Sequence, residues 1–251
     1  MRARLILLLI GLGFSGGALA FKLALFSDKQ MSEMGADGYA EIKKQTPISR
    51  DARGTARVQC VARTLTRQIG GNWEVNLFAG KEANAFALPG GKIGVYEGLL
   101  KVATTQGQLA AVLGHEIGHV QAEHANQRMS TAVVTELGLR AIEGFTNVGQ
   151  SRTAMAALGL GAQFGVMLPF SRAQETAADG IGLKLMSRAG YHPSESVALW
   201  QNMQKSTGRG PPQFLSTHPS HKNRIRDLQK AAPQYVPVYE QAQKAGRRPN
   251  C

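Results

Sequence analysis

The sequence predicts an α+β fold that is mainly helical, with one small β-sheet ahead of a long helical half. Short segments with strand-like alternation occur between residues 73 and 96. Longer segments with apolar residues at helical spacing lie on both sides of them. The chain has 251 residues, 43% of them hydrophobic, which is enough for one compact domain with a substantial core.

The first predicted elements are two amphipathic helices, at residues 29–44 and 51–69. Three strands follow, at residues 73–78, 83–88 and 93–96, and Pro-Gly-Gly at 89–91 joins the last two. The chain is then almost wholly helical, with helices predicted at residues 108–124, 130–145, 151–170 and 171–186. The small residues of the helix predicted at residues 151–170 favour tight packing in the core. The alternative is a mobile cover over a cleft, because glycines lower helix stability.

The pentapeptide His115-Glu116-Ile117-Gly118-His119 lies inside the helix predicted at residues 108–124. Residues four apart on an α-helix differ by about 40° around its axis, so both imidazoles project from one face and can bind one metal ion. Zinc suits two neutral imidazoles and a carboxylate, with one position left for water. Glu116 can then act on that water as a general base. The competing interpretation, two ordinary histidines, is disfavoured because flanking apolar residues predict a buried helix: Leu109, Val112, Leu113 and Val120.

A third ligand is predicted downstream, in the helix at residues 171–186. Glu175 and Asp179 are four apart and share a face with small neighbours, so this helix can approach the first one closely. Glu175 would complete a His-His-Glu site, and Asp179 could accept a hydrogen bond from the free ring nitrogen of His115. The alternative is a solvated acidic pair on an exposed face.

The residues after His119 exclude a metzincin. That class needs a glycine three positions and a histidine six positions later, where this sequence has Ala122 and Ala125. His124 lies far round the predicted helix from the ligand face, and we expect it to be a surface or structural residue.

Four blocks of sequence carry a family resemblance: residues 84–100, H-E-I-G-H at 115–119, E-T-A-A-D at 175–179 and S-T-H-P-S-H-K-N-R-I at 216–225. In this order and spacing they resemble the HtpX and CAAX-prenyl-endopeptidase family of zinc metallopeptidases. The sequence lacks the several membrane helices of HtpX and is closer to the short periplasmic branch typified by LoiP and the catalytic domain of BepA. The resemblance implies a zincin-like fold, with the small sheet beside the HExxH helix.

The resemblance also implies residue roles. It implies one Zn²⁺ ion per chain, bound by His115, His119 and Glu175, with Glu116 as the catalytic base. It gives His218 one of two roles, stabilising the oxyanion or filling the fourth zinc position in a resting form; an ordinary loop histidine is the alternative. Arg224, the other match in the last block, would pair with a carboxylate or contact substrate.

The N-terminus predicts export. Arg2 and Arg4 precede an apolar run at residues 5–14 and small residues up to Ala20, which is the pattern of a signal peptide at residues 1–20. A retained membrane anchor to about residue 26 is the alternative, although Lys22 interrupts that span. Residues 21–251 are then expected to form a single zinc metallopeptidase domain in the periplasm, soluble or peripherally associated with the membrane.

Two cysteines, Cys60 and Cys251, are present. Exported proteins meet an oxidising compartment, so we expect the pair to form one intramolecular disulfide. A zinc role is not expected, because the two residues lack metal-ligand spacing.

The net charge of +12 falls to +10 (12 − 2) if Arg2 and Arg4 leave with the signal. Such a balance favours anionic partners, of which a membrane surface is one, although simple solubility explains it equally well. No nucleic-acid partner is expected of an exported protein with 6% aromatic residues and no recognition motif.

Substrate is expected to bind as an added strand, with Asn84, Ala85 and Phe86 at the receiving edge; an internal core strand is the alternative. The leading functional hypothesis is a zinc endopeptidase of the bacterial envelope that hydrolyses misfolded or misassembled envelope proteins. The second is a chaperone-like binding module of outer-membrane assembly, with latent or little proteolytic turnover.

Overall fold

The computed structural model describes residues 23–143, 169–206, 214–218 and 223–251. The predicted signal peptide lies outside the described residues, and so does almost all of the helix predicted at residues 151–170. Both interpretations of that helix, tight core packing and a mobile cover over a cleft, therefore stay predictions.

Helices and one small sheet make up the fold, so the prediction of a mainly helical α+β fold is confirmed. The strands are β1 (Glu74–Phe78), β2 (Ala85–Leu88) and β3 (Lys92–Tyr96). The first helices are α1 (Asp28–Gln45), α2 (Ala52–Thr66), α3 (Gln106–Gln121) and α4 (His124–Glu143). The later ones are α5 (Arg172–Arg188), α6 (Glu195–Lys205), α7 (Phe214–Thr217), α8 (Arg224–Ala231) and α9 (Val236–Lys244). Short 3₁₀ helices lie at Glu97–Lys101 and Ala232–Tyr235.

Side-chain caps fix where the two central helices begin. The Thr105 hydroxyl accepts a hydrogen bond from the backbone N–H of Gln108 at the start of α3. Ser171 and Gln174 form a reciprocal capping box at the start of α5. These caps hold both helices in register from their first turns.

The predicted helix at residues 108–124 is wrong at its C-terminal end. α3 ends at Gln121, because Glu123 adopts a left-handed conformation with φ 56° that an α-helix cannot continue through. A new helix, α4, starts at His124, so the helix predicted from residue 130 begins earlier than expected.

The sheet has the order β1-β3-β2, with β1 parallel and β2 antiparallel to β3. Gly90 and Gly91, at φ +79° and +72°, form the tight turn between β2 and β3. No described strand pairs with the other side of β2, so this strand forms an edge. It also packs against α3, which places the sheet beside the HExxH helix.

The core is built around α3. Every residue from Gly107 to His119 is buried, and α2, α5, α6 and β2 pack around the helix. A second apolar cluster joins α1, the sheet and α4, through residues that include Tyr39, Phe78 and Met129. Among the described residues, no helix is long and apolar enough to cross a membrane.

Candidate metal centre

α3 places His115 and His119 on one face, as their spacing predicts. Their Nε2 atoms lie 3.0 Å apart, and the two residues are only 5% and 3% exposed. An imidazole pair this close and this buried presents two nitrogen donors to one point.

Close packing of α3 against α5 brings a carboxylate to this pair. A Cβ atom at Gly118 would lie 2.8 Å from the backbone oxygen of Ala178, and one at Gly182 would lie 2.9 Å from the backbone nitrogen of His115. The helices therefore touch backbone to backbone, which only glycine at these positions allows. Glu175, in the first turn of α5, consequently reaches both histidines.

Four residues converge on one point. Glu175 Oε2 lies 3.4 Å from His115 Nε2, and Glu175 Oε1 lies 3.4 Å from His119 Nε2. His218 follows α7, and its Nδ1 lies 3.0 Å from Glu175 Oε1 and 3.2 Å from His115 Nε2. Its ring stacks on Phe214 at 4.4 Å between centroids, which holds its orientation.

This cluster fits a tetrahedral metal ion. One donor atom from each of His115, His119, Glu175 and His218 lies within 4.8 Å of the others, and all four residues are buried. Donors bound to zinc at roughly 2.0–2.1 Å in a tetrahedron stand about 3.3 Å from one another, close to the separations above. Three imidazoles and one carboxylate also form a donor set that zinc accepts.

Glu116 faces the cluster from the next position on α3. It is buried, its Oε1 lies 3.4 Å from His218 Nε2, and that oxygen has no hydrogen-bond partner among the described residues. Burial raises the pKa of Glu116, although the nearby His218 and His115 act in the opposite direction. A buried carboxylate with an open acceptor and raised proton affinity is suited to proton transfer.

Asp179 and Arg224 form hydrogen bonds with residues of the cluster. Asp179 Oδ1 lies 3.0 Å from His115 Nδ1 and 2.6 Å from Arg224 Nη2. Arg224 also donates a hydrogen bond to Glu175 and lies over the Trp200 ring at 3.8 Å. Burial by itself raises the pKa of both Asp179 and Glu175. The charge of Arg224 outweighs burial at Asp179, and hydrogen bonds with the three histidines outweigh it at Glu175. The pKa of each group therefore lies below its ordinary value, and both remain carboxylates.

Arg224 is fully buried and paired with carboxylates. Of its two predicted roles, the structure therefore favours pairing. The predicted contact with substrate is not supported, because the side chain has no surface to offer.

Three residues that sequence reasoning did not assign to the site lie next to it. Phe170 packs on the His119 ring at 3.7 Å between centroids, and the Arg128 guanidinium lies over Phe170 at 3.6 Å. His124 is buried, with Nδ1 2.9 Å from His119 Nδ1, so the expectation of a surface position is wrong and that of a structural residue stands. The break at Glu123 turns His124 inward, and no periodic pattern in the sequence announces that break.

The predicted substrate-binding residues lie on or before the edge strand. Ala85 is buried, whereas Asn84 and Phe86 are half-buried. The Phe86 ring packs among Tyr39, Phe78 and Tyr96. The antiparallel register directs the backbone groups of Asn84 and Phe86 toward β3, so Ala85 is the predicted residue whose backbone faces the outer edge. The backbone of Ala87 hydrogen-bonds to Glu116, which places this strand beside the cluster.

A disulfide joins Cys60 on α2 to Cys251, with 5.6 Å between their Cα atoms. The backbone N–H of Cys251 donates to the Gln106 side chain at 2.8 Å, and that side chain donates to the carbonyl of Pro249 at 3.0 Å. The tail is therefore bound to the first residue of α3, about 14 Å along the helix from His115.

Comparison with known proteins agrees with this geometry. The family model described as peptidase family M48 matches residues 49–232. The mitochondrial metalloendopeptidase OMA1 of Schizosaccharomyces pombe is 38% identical over 165 residues, which cover 64% of this chain and 47% of that protein. The chain spans about half the length of the OMA1 proteins it matches, with 50% covered in Saccharomyces cerevisiae.

Two bacterial relatives also match. The metalloprotease LoiP of Escherichia coli is 28% identical over 218 residues, 85% of each chain. The β-barrel assembly-enhancing protease of the same organism is 30% identical over 176 residues, 64% of this chain and 34% of that protein. The predicted likeness to LoiP and to that protease (BepA) is thus confirmed, whereas the HtpX and CAAX-prenyl branch stays a prediction.

Proposed function

The chain belongs to peptidase family M48, and from this premise we propose that it is a zinc-dependent endopeptidase. The observation that carries the proposal is the buried convergence of His115, His119 and Glu175 beside Glu116. We assign the first three as zinc ligands, one ion per chain, and Glu116 as the catalytic base.

Each residue has a defined task in peptide hydrolysis. When bound, zinc supplies Lewis-acid polarisation of the scissile carbonyl and acidifies a water molecule. Glu116 takes the proton of the attacking water on its open Oε1 and passes it to the leaving amine. Asp179 accepts a hydrogen bond from His115 Nδ1, which leaves His115 Nε2 directed toward the other donor atoms of the cluster. Arg224 positions Asp179 and Glu175 through its two ion pairs.

Substitution of the base tests this assignment. Glu116→Gln should abolish peptide cleavage while zinc content stays near one ion per chain, because the ligands are untouched. Glu240→Gln, on the exposed side of α9, is the matched control and should cleave like wild type. Full activity of Glu116→Gln would refute the mechanism.

For His218 we propose the fourth-ligand role in a resting form. Its Nδ1 lies within 3.2 Å of two of the other donors, as a ligand would, and its Nε2 faces Glu116. His218→Ala should therefore cleave casein faster than wild type. Slower cleavage would indicate oxyanion stabilisation, and unchanged rate and zinc affinity would remove His218 from the site.

Substrate is proposed to add as a strand along β2, whose free edge passes the Glu116 carboxylate. Of Asn84, Ala85 and Phe86, Ala85 would supply the backbone pairing, because its N–H and C=O face away from β3, and such pairing gives affinity without strong sequence choice. Proline scanning of a cleaved peptide tests this, because proline removes the N–H that such pairing needs.

We place the enzyme in the bacterial cell envelope, with unfolded or misassembled envelope proteins as substrates. The disulfide supports an oxidising compartment, and the signal-like residues 1–20 support export of a single domain at residues 21–251. Peptide sequencing of the mature N-terminus would separate cleavage after residue 20 from an anchor retained to about residue 26. Proteins that accumulate in a strain carrying Glu116→Gln, identified by mass spectrometry, would name the substrates.

A latent enzyme that acts mainly as a chaperone-like module of outer-membrane assembly is the second candidate. The position of His218 among the metal donors favours it, since a filled fourth position would block turnover. The name of the β-barrel assembly-enhancing protease points to the same kind of partner. A chaperone role predicts that Glu116→Gln still restores outer-membrane assembly in a deletion strain.

A further inference from the structure

A cavity of about 180 Å³ lies beside the candidate metal centre, at the C-terminal end of α3. The His119 side of α3 forms one wall, and Met31, Pro89 and Val120 provide apolar surface. Pro89 directly follows the edge strand β2. A substrate strand bound along β2 and held at the metal would therefore have one side chain entering this cavity.

The rim of the cavity is negative. Asp28 and Glu123 belong to its lining, both are exposed, and neither carboxylate forms an ion pair within the described part of the chain. None of the described lining residues is a lysine or arginine. α3 ends at this rim but α1 and α4 begin there, so the negative charge of the rim comes from the two carboxylates rather than from helix dipoles. The cavity thus combines apolar walls with a rim that attracts a cation.

Glu123 is held at this rim by an unfavourable backbone conformation. It is the only non-glycine residue with positive φ in the described chain. Glycine or asparagine would adopt this helix-ending conformation with less strain. A residue held in a strained backbone conformation, with its carboxylate on a cavity that His119 also lines, is a candidate for a functional position.

We propose that this cavity is a specificity pocket for a lysine or arginine side chain of the substrate, an inference that rests on the peptidase function proposed above. The aliphatic stem of that side chain packs on Met31, Pro89 and Val120. Its cationic head pairs with Glu123 and Asp28. The enzyme would thus select basic residues at one position next to the scissile bond.

Paired peptides test the pocket. A fluorogenic series carries arginine or its neutral isostere citrulline at each position around the scissile bond. At one position, the kcat/KM of wild type for the arginine peptide should exceed that for the citrulline peptide by about two- to five-fold, as expected for an exposed ion pair. The preference should shrink as salt is raised.

Variants separate charge from strain. Glu123→Gln and Asp28→Asn should each reduce the preference, and the double variant should lose it. Glu123→Gly relieves the backbone and should reduce the preference as much as Glu123→Gln does, while the stability of the protein is kept or raised. Asp37→Asn, at an exposed carboxylate elsewhere on α1, is the matched control and should keep the preference.

Equal cleavage of every arginine and citrulline pair by wild type would overturn the pocket, as would a preference that survives in the double variant. If no peptide of any sequence is cleaved, the proposed peptidase function fails instead. The pocket is then tested by fluorescence anisotropy, with the same peptides bound to the Glu116→Gln protein. Equal affinity for arginine and citrulline there would refute it.

Discussion

Replacing Gly182 with alanine should disturb the metal centre from the opposite helix. The added Cβ would lie 2.9 Å from the backbone nitrogen of His115 and 3.0 Å from the carbonyl carbon of Gly114. Favourable contacts between such atoms are about 3.5–4.0 Å, so α3 and α5 must separate by about 0.5 Å or more. The contact is with backbone, and no side chain can rotate out of the way.

Two effects set the magnitude for Gly182→Ala. Overpacking of this kind costs about 1–3 kcal/mol, and replacing glycine by alanine inside a helix returns up to about 1 kcal/mol. Gly180→Ala is the matched control on the same helix, because its Cβ would meet only the Tyr235 hydroxyl, at an ordinary 3.6 Å. The free energies of unfolding of the two variants should therefore differ by about 1–3 kcal/mol, with Gly180→Ala the more stable.

The same displacement should weaken zinc binding, because His115 itself is pushed. Zinc tolerates deviations of only about 0.2 Å in ligand distance. Urea unfolding followed by circular dichroism measures the stability difference, and competition with a chromophoric chelator measures zinc affinity. If Gly182→Ala equals Gly180→Ala in both measurements, close packing of α3 on α5 does not position the ligands.

Further substitutions probe the disulfide, the support of the ligands and the metal itself. Cys60→Ser opens a loop with a sequence separation of 191 residues to Cys251, which should lower the free energy of unfolding by roughly 5 kcal/mol, while zinc content measured by atomic absorption stays the same. Asp179→Asn should lower zinc affinity about 10- to 100-fold in chelator competition; an unchanged affinity would contradict its positioning role. Arg224→Met leaves Glu175 and Asp179 without their buried cation and should destabilise the fold by about 3–5 kcal/mol in urea unfolding. Removing bound zinc with a chelator should lower the thermal midpoint, since zinc at 1,000 times its Kd adds about 4 kcal/mol to the folded state, and added zinc should restore it.

Local patterns in the sequence determined the parts of this protein that depend on short separations along the chain. The helical period placed His115 and His119 on one face, and it placed Glu175 and Asp179 together on another helix. Alternation and the Pro-Gly-Gly turn predicted the hairpin of β2 and β3. These features follow from geometry within a few residues, so a single sequence suffices for them.

Tertiary structure decided the contacts between distant residues that no local pattern indicates. Arg224 and Phe170 carry no local pattern that indicates a partner, yet one is buried against two carboxylates and the other stacks on His119. Their positions follow from how α3, α5 and α8 pack, and that packing depends on volume and close approach over the whole core. The inward turn of His124 likewise depends on a single left-handed residue, Glu123, whose conformation neither its own propensity nor the period of the helix announces.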